Sequence, residues 1–189
     1  AYEIPKRDWS SDVCSSDLNW ENGCIFVKIT TIMNSKVFIK IEETFNDFKA
    51  LVPRYLEVYN NVELLDMFLS RNRNPIFDLS NYKMFKSGLQ SKGALMESDN
   101  KKKTQDHFIQ RKKAMKHIFD YLVANPSISL DEFTTLLFAF VQTVTITKEE
   151  HKRVTALAKK KKDKYNYELY AECGIKVKNL KHILNEHMM

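Results

Sequence analysis

The chain has 189 residues, 43% of them hydrophobic and 29% charged, with 30 Lys and Arg against 24 Asp and Glu and a formal net charge of +6. That composition excludes wholesale disorder, and the length suits one domain, or one with a small appendage, able to bury a core. The longest apolar run, Leu136–Val141, falls well short of the roughly 18–20 residues of a bilayer span, so no membrane partner is expected.

The first residues set themselves apart. Arg7-Asp8-Trp9-Ser10-Ser11-Asp12-Val13-Cys14-Ser15-Ser16-Asp17-Leu18 resembles, residue for residue, one reading frame of a common short-read library adapter. Ala1-Tyr2-Glu3-Ile4 is similar to the flow-cell end of the same adapter. Residues 1–18 are therefore expected to be a translated adapter in a metagenomic sequence, and they are set aside from the fold. Two starts remain open: Met33 as the native first residue, or a real strand over Cys24-Ile25-Phe26-Val27-Lys28-Ile29 in a gene truncated at its front.

Without residues 1–18 the chain keeps 28 basic and 20 acidic side chains, a net +8. That surplus favours a polyanionic partner, nucleic acid and in particular DNA. Only Cys24 and Cys173 survive the trimming, so a reducing compartment is expected, the cytoplasm of a bacterial host.

Glycine and proline number four each, which favours helices. The expected class is mainly α, a small helical domain with one or two short β-strands. Over 19–70 the helical spacing of Phe38, Ile41, Phe45, Phe48 and Leu51 predicts a helix. Pro53 either kinks it or opens the next. Val62, Leu65, Phe68 and Leu69 form a further stripe. Both stripes suit a core, and they would equally supply a partner face.

Residues 71–103 read as a long irregular connection, with Asn74-Pro75, Gly88, Gly93 and a polar run to Lys103. A C-terminal helical part over 104–189 follows. Its first helix runs from Asp106 to Asn125-Pro126 and carries Phe108, Met115, Ile118, Phe119 and Leu122. Ser129-Leu130-Asp131-Glu132 is a capping box opening a second helix. Thr143–Ile146 alternates as a short strand. Thr147-Lys148-Glu149-Glu150 is another capping box, Gly174 caps a helix over Tyr165–Cys173, and a last helix carries Val177, Leu180, Ile183 and Leu184.

No phosphate-binding Gly-rich loop, HExxH, Cys-x-x-Cys or nucleophile elbow is present. The polar residues with the right chemistry are Asp106 and His107, set between Lys101-Lys102-Lys103 and Arg111-Lys112-Lys113, and the later His151. A metal-dependent nuclease needs an imidazole to activate water and further His or Asp ligands for a divalent cation. The bland reading makes Asp106 a helix cap and His107 a residue of the solvated first turn; His117 and Asp120, three apart, read as a surface pair. A second basic feature joins Lys152-Arg153 to Lys159-Lys160-Lys161-Lys162 and is followed by Tyr165, Tyr167 and Tyr170. Lysines neutralise phosphates, and tyrosines stack on unpaired bases.

Four pieces carry a resemblance: Lys103-Thr104-Gln105-Asp106-His107-Phe108, Ser129–Phe133, Val144–His151 and Tyr170–Ile175. Together they resemble small phage-encoded proteins, some of them HNH-like endonucleases, over less than half of the chain. The resemblance implies His107 as general base, Asp106 and His151 as ligands, and Mg or Mn as the metal. The sequence departs from that family at position 151, where His replaces the usual Asn. Two predicted helices also separate Asp106-His107 from the next strand, in place of a compact ββα hairpin. The expected function is a nucleic-acid-acting accessory protein of a phage or mobile element, with a divalent-metal endonuclease as its sharpest form. A non-catalytic nucleic-acid regulator and a helical interaction module are the alternatives.

Overall fold

The computed structural model describes residues 35–178. The adapter-like segment, both candidate starts and the last predicted helix beyond Lys178 lie outside that range; Val177 itself forms an isolated bridge with Ser91. Eight α-helices and one small sheet make up the described residues, a mainly α architecture. In chain order they are α1 (Ser35–Val58), α2 (Val62–Arg71), α3 (Asn74–Ser80), β1 (Lys86–Gln90), α4 (Lys92–Met96), β2 (Lys103–His107), α5 (Arg111–Ala124), α6 (Leu130–Val141), β3 (Thr143–Thr147), α7 (Lys148–Lys160) and α8 (Asn166–Glu172). No helix among them is long and apolar enough to cross a membrane.

The larger core follows from the spacing of large apolar residues. Ile41, Phe45, Phe48 and Tyr55 share one face of α1 and are buried. They meet Phe68 of α2 and the inner face of α5 and α6. Phe119 is the hub, with ring centroids 4.9 Å from Phe48, 4.8 Å from Tyr55 and 5.3 Å from Phe68. Helix α1 continues through Pro53, whose missing N–H costs one hydrogen bond of the helix. Asn61 caps α2, its side chain accepting from the Leu64 N–H at 3.0 Å.

The smaller core lies under the sheet. Strand order is β1-β3-β2, with β3 parallel to β1 and antiparallel to β2. Side chains alternate across a strand, so Val144 and Ile146 point one way and Thr143, Thr145 and Thr147 the other. The apolar side packs on Val154 of α7 and on Leu169 and Tyr170 of α8.

Two expectations change here. Residues 71–103 are not an irregular connection: they hold α3, β1, α4 and two 3-10 turns. The expected division near residue 104 also fails, because α5 and α6 belong to the core built by α1–α3. Asp106 and His107 lie on β2, and α5 starts only at Arg111. The β3 strand, both capping boxes and the positive φ of 67° at Gly174 are as the sequence predicts.

Candidate functional site

Asp106 pairs with Val144 in the β2–β3 ladder, which turns its side chain to the helix-covered face. There it is 2% exposed. A carboxylate at that depth must be satisfied by donors, and three converge on it. His151 Nδ1 lies 2.9 Å from Oδ1, Asn166 Nδ2 donates to Oδ1 at 3.3 Å, and the Tyr170 hydroxyl donates to Oδ2 at 2.7 Å. Asn166 also donates to the His107 carbonyl at 3.0 Å, tying the start of α8 to the end of β2.

This arrangement fixes His151. A carboxylate facing Nδ1 calls for the proton on Nδ1, which leaves Nε2 as the basic nitrogen. The His151 side chain is 43% exposed, and no protein group among the described residues bonds to Nε2. The hydrogen bond to Asp106 raises the pKa of His151 above the ordinary histidine value, against partial desolvation. Burial, then the Asp106 charge and hydrogen bond, push Tyr170 well above the usual phenol range, so it stays a donor.

His107 is one residue from Asp106 and therefore on the opposite face of β2. Its Nε2 is buried with no hydrogen-bond partner among the described residues. Burial, reinforced by the Arg111 charge, lowers its pKa to about 4. The structure thus brings Asp106 and His151 together and leaves His107 out of their hydrogen-bond network. Asp106 is no helix cap, and His107 is no solvated first-turn residue.

Asp106 and His151 do not fit a shared divalent ion in this arrangement. They use their facing atoms on each other, and the second carboxylate oxygen is held by Tyr170. No group of three His, Cys, Asp or Glu side chains among the described residues is placed to hold a metal.

The basic residues divide. Lys101 and Lys102 lie in the 3-10 turn before β2, and Lys103 opens that strand. Arg111, Lys112 and Lys113 form the first turn of α5. Lys102 lies 3.9 Å from Glu97, Lys112 2.6 Å from Asp66 and Lys152 2.7 Å from Glu149. Lys113 donates to the Lys164 carbonyl and lies over the Tyr165 ring. Lys161 pairs with Glu172. Lys101, Lys103, Arg153, Lys159, Lys160 and Lys162 have no ion-pair partner among the described residues. Lys103 faces Thr147 at the start of α7, so that helix puts about 18 Å between the Lys101–Lys103 cluster and Lys159–Lys160 at its other end.

Asn166 and Tyr170 are the partners of Asp106 that the sequence hides. Tyr170, expected among base-stacking tyrosines, is instead buried on Asp106. Tyr165 bonds His117 at 2.8 Å. Asp120, expected beside His117, accepts from the Tyr55 hydroxyl at 2.5 Å and from Lys116 at 2.6 Å. The only signal was the fall of Asn166 and Tyr170 four residues apart, one helical turn. No protein-family model, curated protein or solved structure matches the chain.

Proposed function

We propose that the protein acts on nucleic acid, with His151 exchanging a proton with the substrate at a phosphodiester and Asp106 orienting it. One observation carries this reading: a buried carboxylate, held by Tyr170 and Asn166, grips one nitrogen of a half-exposed imidazole and leaves the other open. A buried Asp behind a His fixes the tautomer and steadies the imidazolium that forms on proton uptake. Lys101, Lys103, Arg153, Lys159, Lys160 and Lys162, without an ion-pair partner among the described residues, supply attraction for a polyanion. His107, half-buried and with its pKa lowered to about 4, is a weak base, and the proton-transfer role passes to His151. The resemblance to phage HNH-like proteins motivates testing a nuclease form, but it implies His107 as base and Asp106 and His151 as metal ligands, roles this reading does not give them.

The test incubates the full chain with plasmid DNA and with RNA, in Mg²⁺, Mn²⁺ and chelator. His151→Ala should lower cleavage by about 10²-fold or more. Asp106→Asn, which keeps shape but loses the carboxylate, should lower it and move the pH profile toward lower pH. His107→Ala should retain most activity if folded. Loss of divalent dependence in the chelator arm would separate His151 chemistry from the metal chemistry that the resemblance implies. Absence of any cleavage, with salt-sensitive binding intact, favours the non-catalytic binder, for which the full satisfaction of Asp106 is the structural argument.

A further inference from the structure

We infer that the outward face of the sheet, opposite the Asp106–His151 network, is the surface on which duplex DNA docks. The inference rests on the nucleic-acid reading above but names a different surface. Ladder partners share a face, so the register Lys103↔Thr147, Gln105↔Thr145, His107↔Thr143 and Lys86↔Thr143 places Lys103, Gln105, Thr145, Thr147 and Lys86 on one side, together with Thr143 and His107, where Thr143 and the His107 Nε2 are buried. Gln90 pairs with Thr145 on that same side. Leu89 of β1 packs with the smaller core and so points the other way.

None of these outward positions is acidic, and Lys86 and Gln105 are exposed. Glu97 and Asp99 flank the face on the turn before β2, where Lys102 lies against Glu97. The Gln105 amide is held in place: its Nε2 donates to Thr145 Oγ1 at 2.8 Å and its Oε1 accepts from Thr143 Oγ1 at 3.1 Å. The amide retains a second N–H and a second lone pair, which is the donor–acceptor pair that reads adenine in the major groove.

Size and charge select the duplex. Strands lie about 4.8 Å apart and rise about 3.3 Å per residue, so Lys86 and Lys103, two strand spacings apart and offset by the four residues from Thr143 to Thr147, have Cα atoms about 16 Å apart diagonally across the sheet. The B-form major groove is about 12 Å wide and admits a two-stranded β-ribbon, here β2 and β3, with phosphates at both rims and β1 with Lys86 left at one of them. The major groove of A-form RNA is deep and narrow and does not admit one. Lys86 and Lys103 are therefore the phosphate contacts, with Lys101 beside them, and Gln105 and Thr145 face the base edges.

The test is fluorescence anisotropy of the full chain with a labelled 20-base-pair DNA duplex of randomised sequence and an RNA duplex of equal length, over a KCl series. DNA should bind at least tenfold more tightly than RNA. Lys86→Gln/Lys103→Gln should weaken DNA binding at least tenfold and make the slope of log affinity against log salt shallower by about 2, one unit per lysine. Lys86→Arg/Lys103→Arg should keep the slope; an equal loss there assigns the effect to folding and overturns the inference. Lys40→Gln/Arg54→Gln, the same charge change on α1, should leave the slope unchanged. If DNA binds but the slope falls only with Lys159→Gln/Lys160→Gln, the docking face is wrong and the nucleic-acid reading stands. If neither duplex binds, both fall together.

Discussion

His107 and His151 titrate in opposite senses, and the cause is which side of β2 each one meets. Asp106 stabilises the charged form of His151, so its folded pKa is raised. Its contribution to stability is fully present below the ordinary histidine pKa and is lost as pH rises through the folded value. The His107 Nε2 is buried without a partner among the described residues, and the pKa of the half-buried ring is lowered to about 4. Its contribution is present above the ordinary value near 6.5 and is lost as pH falls toward 4, by up to about 3 kcal/mol. Urea denaturation between pH 4 and 7 should show that loss in the parent and a flatter profile in His107→Gln. In parallel, imidazole resonances should show one histidine titrating well below 6.5 and one above it. An unchanged acid limb in His107→Gln would place the loss elsewhere. None of this was legible from Asp106-His107 as a pair: their adjacency suggested shared chemistry, while the pleat of an unrecognised strand sends them to opposite faces.

At the scale of elements, a chain of caps joins α4 to α7. The Ser91 hydroxyl accepts from the Ala94 N–H at 2.9 Å and donates to Glu150 Oε2 at 2.6 Å. That same oxygen accepts the Thr147 N–H at 2.8 Å, closing the capping box of α7. Glu150 therefore satisfies two helix starts from one buried carboxylate. Gly93 leaves room for it, since a Cβ there would lie 2.5 Å from Glu150 Oε1. Glu150→Ala should cost about 2–3 kcal/mol and Ser91→Ala about 1–2 kcal/mol. Because they share one hydrogen bond, the double variant should cost less than the sum of the two in thermal or urea unfolding. Strict additivity would mean that the caps act independently.

The box at Thr147–Glu150 was readable because capping is written within four residues. Its link to Ser91 was not, because it depends on β1 lying beside β3. Strands β1 and β2 were missed for the same reason. Lys86-Ser87-Gly88-Leu89-Gln90 and Lys103-Thr104-Gln105-Asp106-His107 carry one β-branched residue between them and no alternating apolar pattern. Both are edge strands formed by pairing with Thr143–Thr147, whose β-branched alternation was visible.

For the whole molecule, the helices that flank the sheet in sequence do not belong to it in space. Helices α5 and α6 connect β2 to β3, yet their apolar faces close the core of α1–α3. The two cores are joined by Tyr167, which packs against both, and by polar contacts from α5 to the segment before α8: His117 to Tyr165 and Gln110 to the Lys164 carbonyl at 2.9 Å. The apolar stripes of α5 and α6 were legible as amphipathic, but periodicity does not say which partner a stripe meets. Residues 104–178 alone would lose the rings of Phe48, Tyr55 and Phe68 that pack on Phe119, and the Phe45 ring whose centroid lies 4.8 Å from that of Phe133. They would also lose β1 from the sheet. Such a fragment should be helical by far-UV circular dichroism but bind hydrophobic dye and unfold without a cooperative transition. The full chain should unfold in one transition, and Phe119→Ala should lower its stability by about 3–5 kcal/mol. A cooperative, dye-silent fragment over 104–178 would restore a division at residue 104. Phe119 would then be buried mainly by its own half of the chain.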